Sequence, residues 1–351
     1  VISAGLNEPS FYVWEPGSLT VLSTFIESST SHSQALLYTP THVVAAQGNK
    51  NLLHYYKFGR DTPDRKSTTI DRVSALTQFG HLIAGGSEEG NITLWDATSG
   101  QQMNTWNAHF RAVTTLHLND QVLVSAAEDG AVYTWNTYQL LQGSTVPLHS
   151  YNPHTMPIKG LKVTGSWLLT CSLDQTLKCL VDGKVVKSHT YPAGLNAIEL
   201  SLNRQTVYLA GADGNVHGLQ DEVKFLWLVS ESIPLTSLAL TYNEKFLFAA
   251  AHTIYKLDAL TGAKLSELNI HSNPVVSLQV VDRPEYFMNL QGLTSAVKPL
   301  KRVKDGEVTT IEFTAEEPVP IEEVPVQEES EKDHLMQLNS AIYKIWVEHW
   351  V

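Results

Sequence analysis

Cysteine is nearly missing from this chain of 351 residues: Cys171 and Cys179 are the only two. Two thiols cannot form a disulfide framework, and they point to a reducing compartment. They flank a turn centred near Asp174-Gln175. Reflection about that turn sets position 171 opposite 178, which predicts opposite faces of a hairpin for the two thiols and no bond between them. Long apolar runs are missing too. None approaches the roughly 18 residues a membrane-spanning helix needs, so the chain is expected to be soluble. The 14 histidines are scattered, without HxxxH or CxxC spacing, and metal binding is not expected. No phosphate-cradling loop of Walker type occurs; AGGSEEG at 84–90 reads as a strand entering a turn. No cofactor is implied. Val1, not Met, stands first, which marks the chain as an expected fragment in which a missing targeting signal excludes little.

Basic charge is scarce and unevenly matched. Residues 1–311 carry 26 acids against 22 bases, whereas residues 312–351 carry 10 acids against 2 bases. The nearly neutral body lacks the basic footprint of a broad nucleic-acid platform. At 43% hydrophobic and 17% charged residues, most of the chain is expected to be globular.

What is present is a repeat. Trp95-Asp96 follows Gly90 by five residues, and the same frame returns at Asp129-Gly130 before Trp135-Asn136. Weaker copies place anchors at Trp14, Tyr56, Leu180, Leu219 and Leu257, with successive spacings of 42, 39, 40, 45, 39 and 38. Each period holds an alternating strand (VTTLHLN), a strand rich in small residues (LIAGGS), an anchor strand (NITLWD) and a more polar fourth strand (KVVKSH). Four strands per roughly 40 residues is the pattern of a β-propeller blade. Seven anchors predict seven blades. The first lacks its innermost strand, and Val275–Val281 is expected to supply it and close the ring, which removes open edges. Each anchor is expected in the stack between blades, with the acid after it making only local pairs.

This frame resembles the WD-repeat family over the whole predicted propeller. HVVAAQGNKN (42–51), the Trp95-Asp96 stretch followed by AHFRAV (108–113), and CSLDQTLK (171–178) are similar to the WD-repeat subunit of the rixosome. That resemblance implies a nuclear, nucleolar or nucleoplasmic, non-enzymatic scaffold for pre-rRNA processing and large-ribosomal-subunit assembly. It further implies binding to a large helical-repeat scaffold protein and a role in docking a remodelling AAA ATPase on pre-ribosomes. Family members finish in a longer coiled coil that pairs two copies; this chain stops at Val351, so self-association is left open.

His109, Ser125 and Asp129 could be read as a hydrolase triad. In the repeat frame Asp129 lies six residues before Trp135 and Ser125 four before Asp129, while His109 precedes the first strand. They are therefore expected as a buried hydrogen-bond chain that ties the incoming loop to the Trp135 indole. His154, Thr170 and Asp174 repeat the set before Leu180. Trp14, Trp95 and Asp96 are likewise expected to be structural. Beyond the propeller (1–290), an arm at 291–333 begins with KPLKRVK, where Lys298, Lys301, Arg302 and Lys304 form either a solvated linker or a localisation or RNA-contacting strip. It continues as an acidic, Pro-punctuated extended segment, either a linker or a partner-contacting arm through Val319, Ile321, Val324 and Val326. Residues 334–351 read as an amphipathic helix with Leu335, Leu338, Ile342 and Ile345 on one face and Trp346 and Trp350 beside it, either folded back on the propeller or, the favoured reading, a surface for a partner protein. The expected architecture is thus all-β: a seven-bladed WD-repeat β-propeller with an acidic arm and a C-terminal helix. The alternative function is a peptide or chromatin reader using the ring's central opening.

Overall fold

The structure, a computed structural model, describes residues 1–281 except 182–183, 203–204, 221–222 and 231–232. The basic strip, the acidic arm and the C-terminal helix expected from the sequence lie outside the described residues.

Seven four-stranded antiparallel sheets make up the described residues, which form a seven-bladed β-propeller. Running inside to outside, the inner strands are Val275–Gln279, Leu36–Tyr38, Val73–Phe79, Val113–Leu118, Ile158–Thr164, Leu195–Leu200 and Ser237–Leu240 for blades 1 to 7. The third strands are Ser10–Trp14, Leu52–Lys57, Asn91–Asp96, Val132–Asn136, Thr176–Val181, Asn215–Gln220 and Ile254–Asp258, and each carries its anchor. Blade 1 is assembled from both ends of the described chain. Val275–Gln279 pairs with Ile2–Gly5 (Ile2 opposite Gln279, Ala4 opposite Ser277), completing that sheet. The predicted closing strand is therefore present, two residues shorter than expected.

Seven apolar clusters lie between the seven pairs of neighbouring blades, and each anchor packs against the blade before it. Trp95 sits among Leu53, Tyr55 and Ala46 of blade 2. Trp135 sits among Leu82, Ile92 and Trp106 of blade 3. Trp14 meets Phe248 of blade 7 edge-on at 4.9 Å. Burial of such side chains contributes roughly 1.5–3 kcal/mol each, so the stack between blades, not any single sheet, holds the ring. Small residues in the second strands make the stack possible. A Cβ on Gly85 would lie 2.6 Å from the Trp95 ring, and one on Gly86 would lie 2.5 Å from Val113 of the next blade.

Asp96 explains itself locally. Its carboxylate accepts from Thr98 N (3.1 Å), Ser99 N (3.1 Å) and Ser99 Oγ (2.6 Å). The chain then turns through Gly100 at a left-handed φ of 71°. The acid shapes the turn that leaves the sheet.

Two features depart from the sequence reading. Gln175 takes a left-handed φ of 67°, and the tight turn sets Cys171 opposite Leu177 and Leu169 opposite Cys179. The two free cysteines therefore share one face of the hairpin, one pair apart, where opposite faces were expected; both are buried in the cluster between blades 5 and 6. The long spacing between Trp135 and Leu180 holds a short helix, Thr137–Leu141, capped by the Asn136 side chain accepting from Gln139 N at 3.1 Å.

Candidate functional site

The loop entering each inner strand and the turn between the second and third strands meet on the same rim, because adjacent strands are antiparallel. Three His/acid/hydroxyl sets stand there. In blade 4, His109 Nδ1 faces Asp129 (3.2 Å to Oδ2) and Nε2 faces Ser125 Oγ at 2.6 Å. Asp129 also accepts from Phe110 N (3.2 Å) and Ala131 N (3.0 Å). In blade 5, His154 bridges Asp174 and Thr170, both at 2.8 Å.

The third set joins the two ends of the described chain. Trp14 Nε1–H donates to Ser3 Oγ at 3.0 Å, and Ser3 Oγ lies 2.9 Å from His271 Nε2. His271 Nδ1 in turn bonds the Glu8 carboxylate. Glu8 accepts further from Ser272 N, Ser272 Oγ and Asn273 N. With Nδ1–H donating to Glu8, Nε2 accepts the Ser3 proton and the chain runs unbroken from indole to carboxylate.

Sequence reasoning passed over this third set, although a signal existed. His109, His154 and His271 each stand four residues before the start of an inner strand. The acid and hydroxyl partners of His271 come from the other end of the chain, where no fixed spacing reveals them. The expected link from Ser125 to the Trp135 indole is a correction: Trp135 Nε1 is buried without a hydrogen-bond partner. The complete four-membered chain occurs at Trp14 instead.

Electrostatics agree with the geometry. Burial alone would raise the Asp129, Asp174 and Glu8 carboxyls, but hydrogen bonds from histidine and from neighbouring hydroxyl or backbone groups outweigh it and hold each below its usual value. Burial lowers His154 and His271 against the opposing pull of their acids, which favours neutral imidazoles. Ser125 is 0% and His109 1% exposed, so the hydroxyl has no open side for a substrate. What these sets can do is tie a loop to a turn. They thereby fix the rim side chains beside them, notably Phe110, which is 91% exposed.

A central cavity of about 370 Å³ opens among the inner strands, lined in part by Gln34, Lys159, Lys162, Asn196, Glu199 and Tyr242. Its charges are paired: Lys162 with Glu199 at 2.9 Å, and Lys159 with Glu128 at 3.1 Å. Gln34 reaches across, accepting at its backbone O from Leu76 N (2.9 Å) and at Oε1 from Leu116 N (2.8 Å). Among the described residues, no group of three or more His, Cys, Asp or Glu is placed to hold a metal ion, and no helix is long and apolar enough to cross a membrane.

Comparison with known proteins follows the same lines. The family model described as WD domain, G-beta repeat matches residues 100–136 and 145–179. Protein ROOT INITIATION DEFECTIVE 3 of Arabidopsis thaliana is 26% identical, the match covering 50% of this chain and 43% of that protein. Pre-rRNA-processing protein IPI3 of Yarrowia lipolytica is 24% identical over 62% of this chain and 51% of its own length. Pre-rRNA-processing protein crb3/ipi3 of Schizosaccharomyces pombe is 24% identical over 56% and 48%. The chain spans about half the length of these three relatives. The crystal structure of the computationally designed Ika8 protein aligns with a TM-score of 0.63 at 22% identity, covering 80% of this chain and 87% of that one, a likeness of fold alone.

Proposed function

The chain is a WD-repeat β-propeller, and on that premise we propose that it acts as a non-enzymatic adaptor in ribosome biogenesis, within a nuclear complex that processes pre-rRNA and matures the large subunit. One observation carries the adhesive part of this reading: the His/acid/hydroxyl sets that would be needed for turnover are buried clamps of a closed ring. The names of the fungal relatives supply the process. In this reading the propeller (1–290) presents protein-binding surfaces on a rigid ring, because the clamps hold its rim loops in one conformation. The arm at 291–333 and the helix at 334–351 reach a helical-repeat scaffold protein, with Leu335, Leu338, Ile342, Ile345, Trp346 and Trp350 as the apolar contact. The complex so formed helps dock an AAA ATPase on pre-ribosomes.

Affinity capture from nuclear extract with the full chain, and with residues 312–351 removed, tests this. Recovery of large-subunit precursors and one large helical-repeat protein by the full chain, with the latter lost on truncation, is the expected result. Capture free of assembly factors, or unaffected by truncation, overturns it. The reader alternative finds less support in the opening, where Lys159 and Lys162 already have acidic partners. Retention of a short modified peptide by the truncated ring would favour it.

A further inference from the structure

The seam between blades 5 and 6 differs from the other six. Anchors Trp14, Tyr56, Trp95, Trp135, Leu180 and Leu257 are all buried, whereas Leu219 of blade 6 is only half-buried. Side-chain staples cross several other seams just after the start of the inner strand: Ser74 Oγ donates to Val113 O (2.5 Å), Thr114 Oγ1 to Ile158 O (2.7 Å) and Asn196 Nδ2 to Leu235 O (2.7 Å). At the matching place in blade 5 stands Lys159, which turns back to Glu128 of blade 4.

The outer strand of blade 6, Val223–Leu228, reads VKFLWL, with five apolar residues of six. Among the described residues it is the edge of its sheet and pairs only inward, with Asn215–Gln220. Other outer strands are blunted by charge, as in Arg65–Thr68 and Lys264–Leu268, or by length, as in His149–Tyr151. Phe225 and Trp227 turn toward blade 7, where the Trp227 ring fills the space beside Gly262. Lys224, Leu226 and Leu228 turn the other way, toward blade 5, and Leu226 and Leu228 are 51% and 80% exposed. Lys224 marks that side by donating to Thr190 O at 2.6 Å and lying 5.0 Å from the centre of the Tyr191 ring. On blade 5, Lys187 pairs with Cys179 in the ladder and so shares the face that lines the seam.

We infer that this cleft takes an extended segment of a partner protein as an added strand. The partner's backbone pairs with the free edge of Val223–Leu228. Its alternate side chains place one carboxylate against Lys224 and two apolar groups over Leu226 and Leu228. The acid-x-apolar-x-apolar pattern, reversed if the added strand runs antiparallel, follows from the spacing Lys224-x-Leu226-x-Leu228 and from the Lys224 cation. This surface is separate from the ribosome-assembly reading, and its test needs none of the partners named there.

A displayed library of random peptides about eight residues long, a strand's length, is selected on the full chain, and enriched peptides are measured by fluorescence anisotropy. Enriched sequences are expected to carry the acid and alternate apolar pattern. Binding should weaken at least tenfold on Leu226→Glu or Lys224→Glu and stay unchanged on Leu265→Glu, a control on the outer strand of blade 7. On Lys224→Glu, selection should shift to a basic residue at the acid position. Circular dichroism confirms that each variant is folded. Failure of any peptide to enrich, binding indifferent to Leu226→Glu and Lys224→Glu, or light scattering showing that Leu226→Glu turns a dimer of this chain into a monomer overturns the proposal.

Discussion

Replacing His271 by alanine separates the ring-closing clamp from the strand pairing beside it. The imidazole bonds a buried carboxylate at Nδ1 and the Ser3 hydroxyl at Nε2, and it meets Tyr12 edge-on at 5.0 Å. A hydrogen bond to a charged group contributes about 1.5–3 kcal/mol and a neutral one about 1. The aromatic contact adds about 0.5–1.5 kcal/mol. Glu8 keeps Ser272 and Asn273 as donors, so its charge is not abandoned. The expected loss is about 3–5 kcal/mol, a fall in Tm on the order of 10 °C for a domain of this size. His109→Ala removes similar bonds within the chain's interior and serves as the reference. Urea denaturation gives the free energies, and hydrogen exchange of the amides in Ile2–Gly5 and Val275–Gln279 reports on closure. His271→Ala should expose those amides and His109→Ala should not. A loss below about 1 kcal/mol, or unchanged exchange at the seam, would refute the claim that this clamp locks the circle.

Three further outcomes follow from the same structure. Trp135→Phe removes an indole N–H that has no partner and should cost less than Trp14→Phe, which breaks the bond to Ser3, by about 1 kcal/mol in denaturation midpoints; equal costs would contradict the assignment. Gly86→Ala drives a methyl group to 2.5 Å from Val113 and should destabilise by about 1–3 kcal/mol in thermal melts, whereas Gly17→Ala, with open space around it, should not. Acid should weaken the fold in two stages. His154 and His271 are held below 6.5 in the folded state, so their contribution is complete above that pH and is lost as pH falls through their folded values. Glu8, Asp129 and Asp174 lie below their ordinary values, so theirs is complete above about 4.5 and is lost as pH drops through the lower range. Stability that rises as the pH falls from 7 to 5 in urea titrations would contradict the first direction, and stability that rises as it falls below about 4.5 would contradict the second.

The repeat was legible because each blade spends one bulky residue and several small ones at set distances. Trp95 and Gly85 announce each other: the glycine is there because the ring is. Closure was legible for a similar reason, since a spare alternating strand after the last anchor had only one unpaired edge to meet. The hairpin of Cys171 and Cys179 was misread because register depends on the backbone of Gln175, whose left-handed φ no side-chain pattern reveals. The clamp at Glu8 stayed hidden because its members lie 263 residues apart from His271 in the chain and only the folded circle brings them together. The outer strand of blade 6 is regular but apolar; its pattern reflects the seam it borders more than its own sheet.

The clamp between Glu8 and His271 also sets a schedule for synthesis. At a ribosomal pace of about 5–20 residues per second, His271 emerges roughly 13–50 s after Glu8. Until then a carboxylate destined for the interior waits in water, and the first sheet stands one strand short. For that interval the growing protein is an open fan, and the edge of Ile2–Gly5 that Val275–Gln279 will cover stays unpaired.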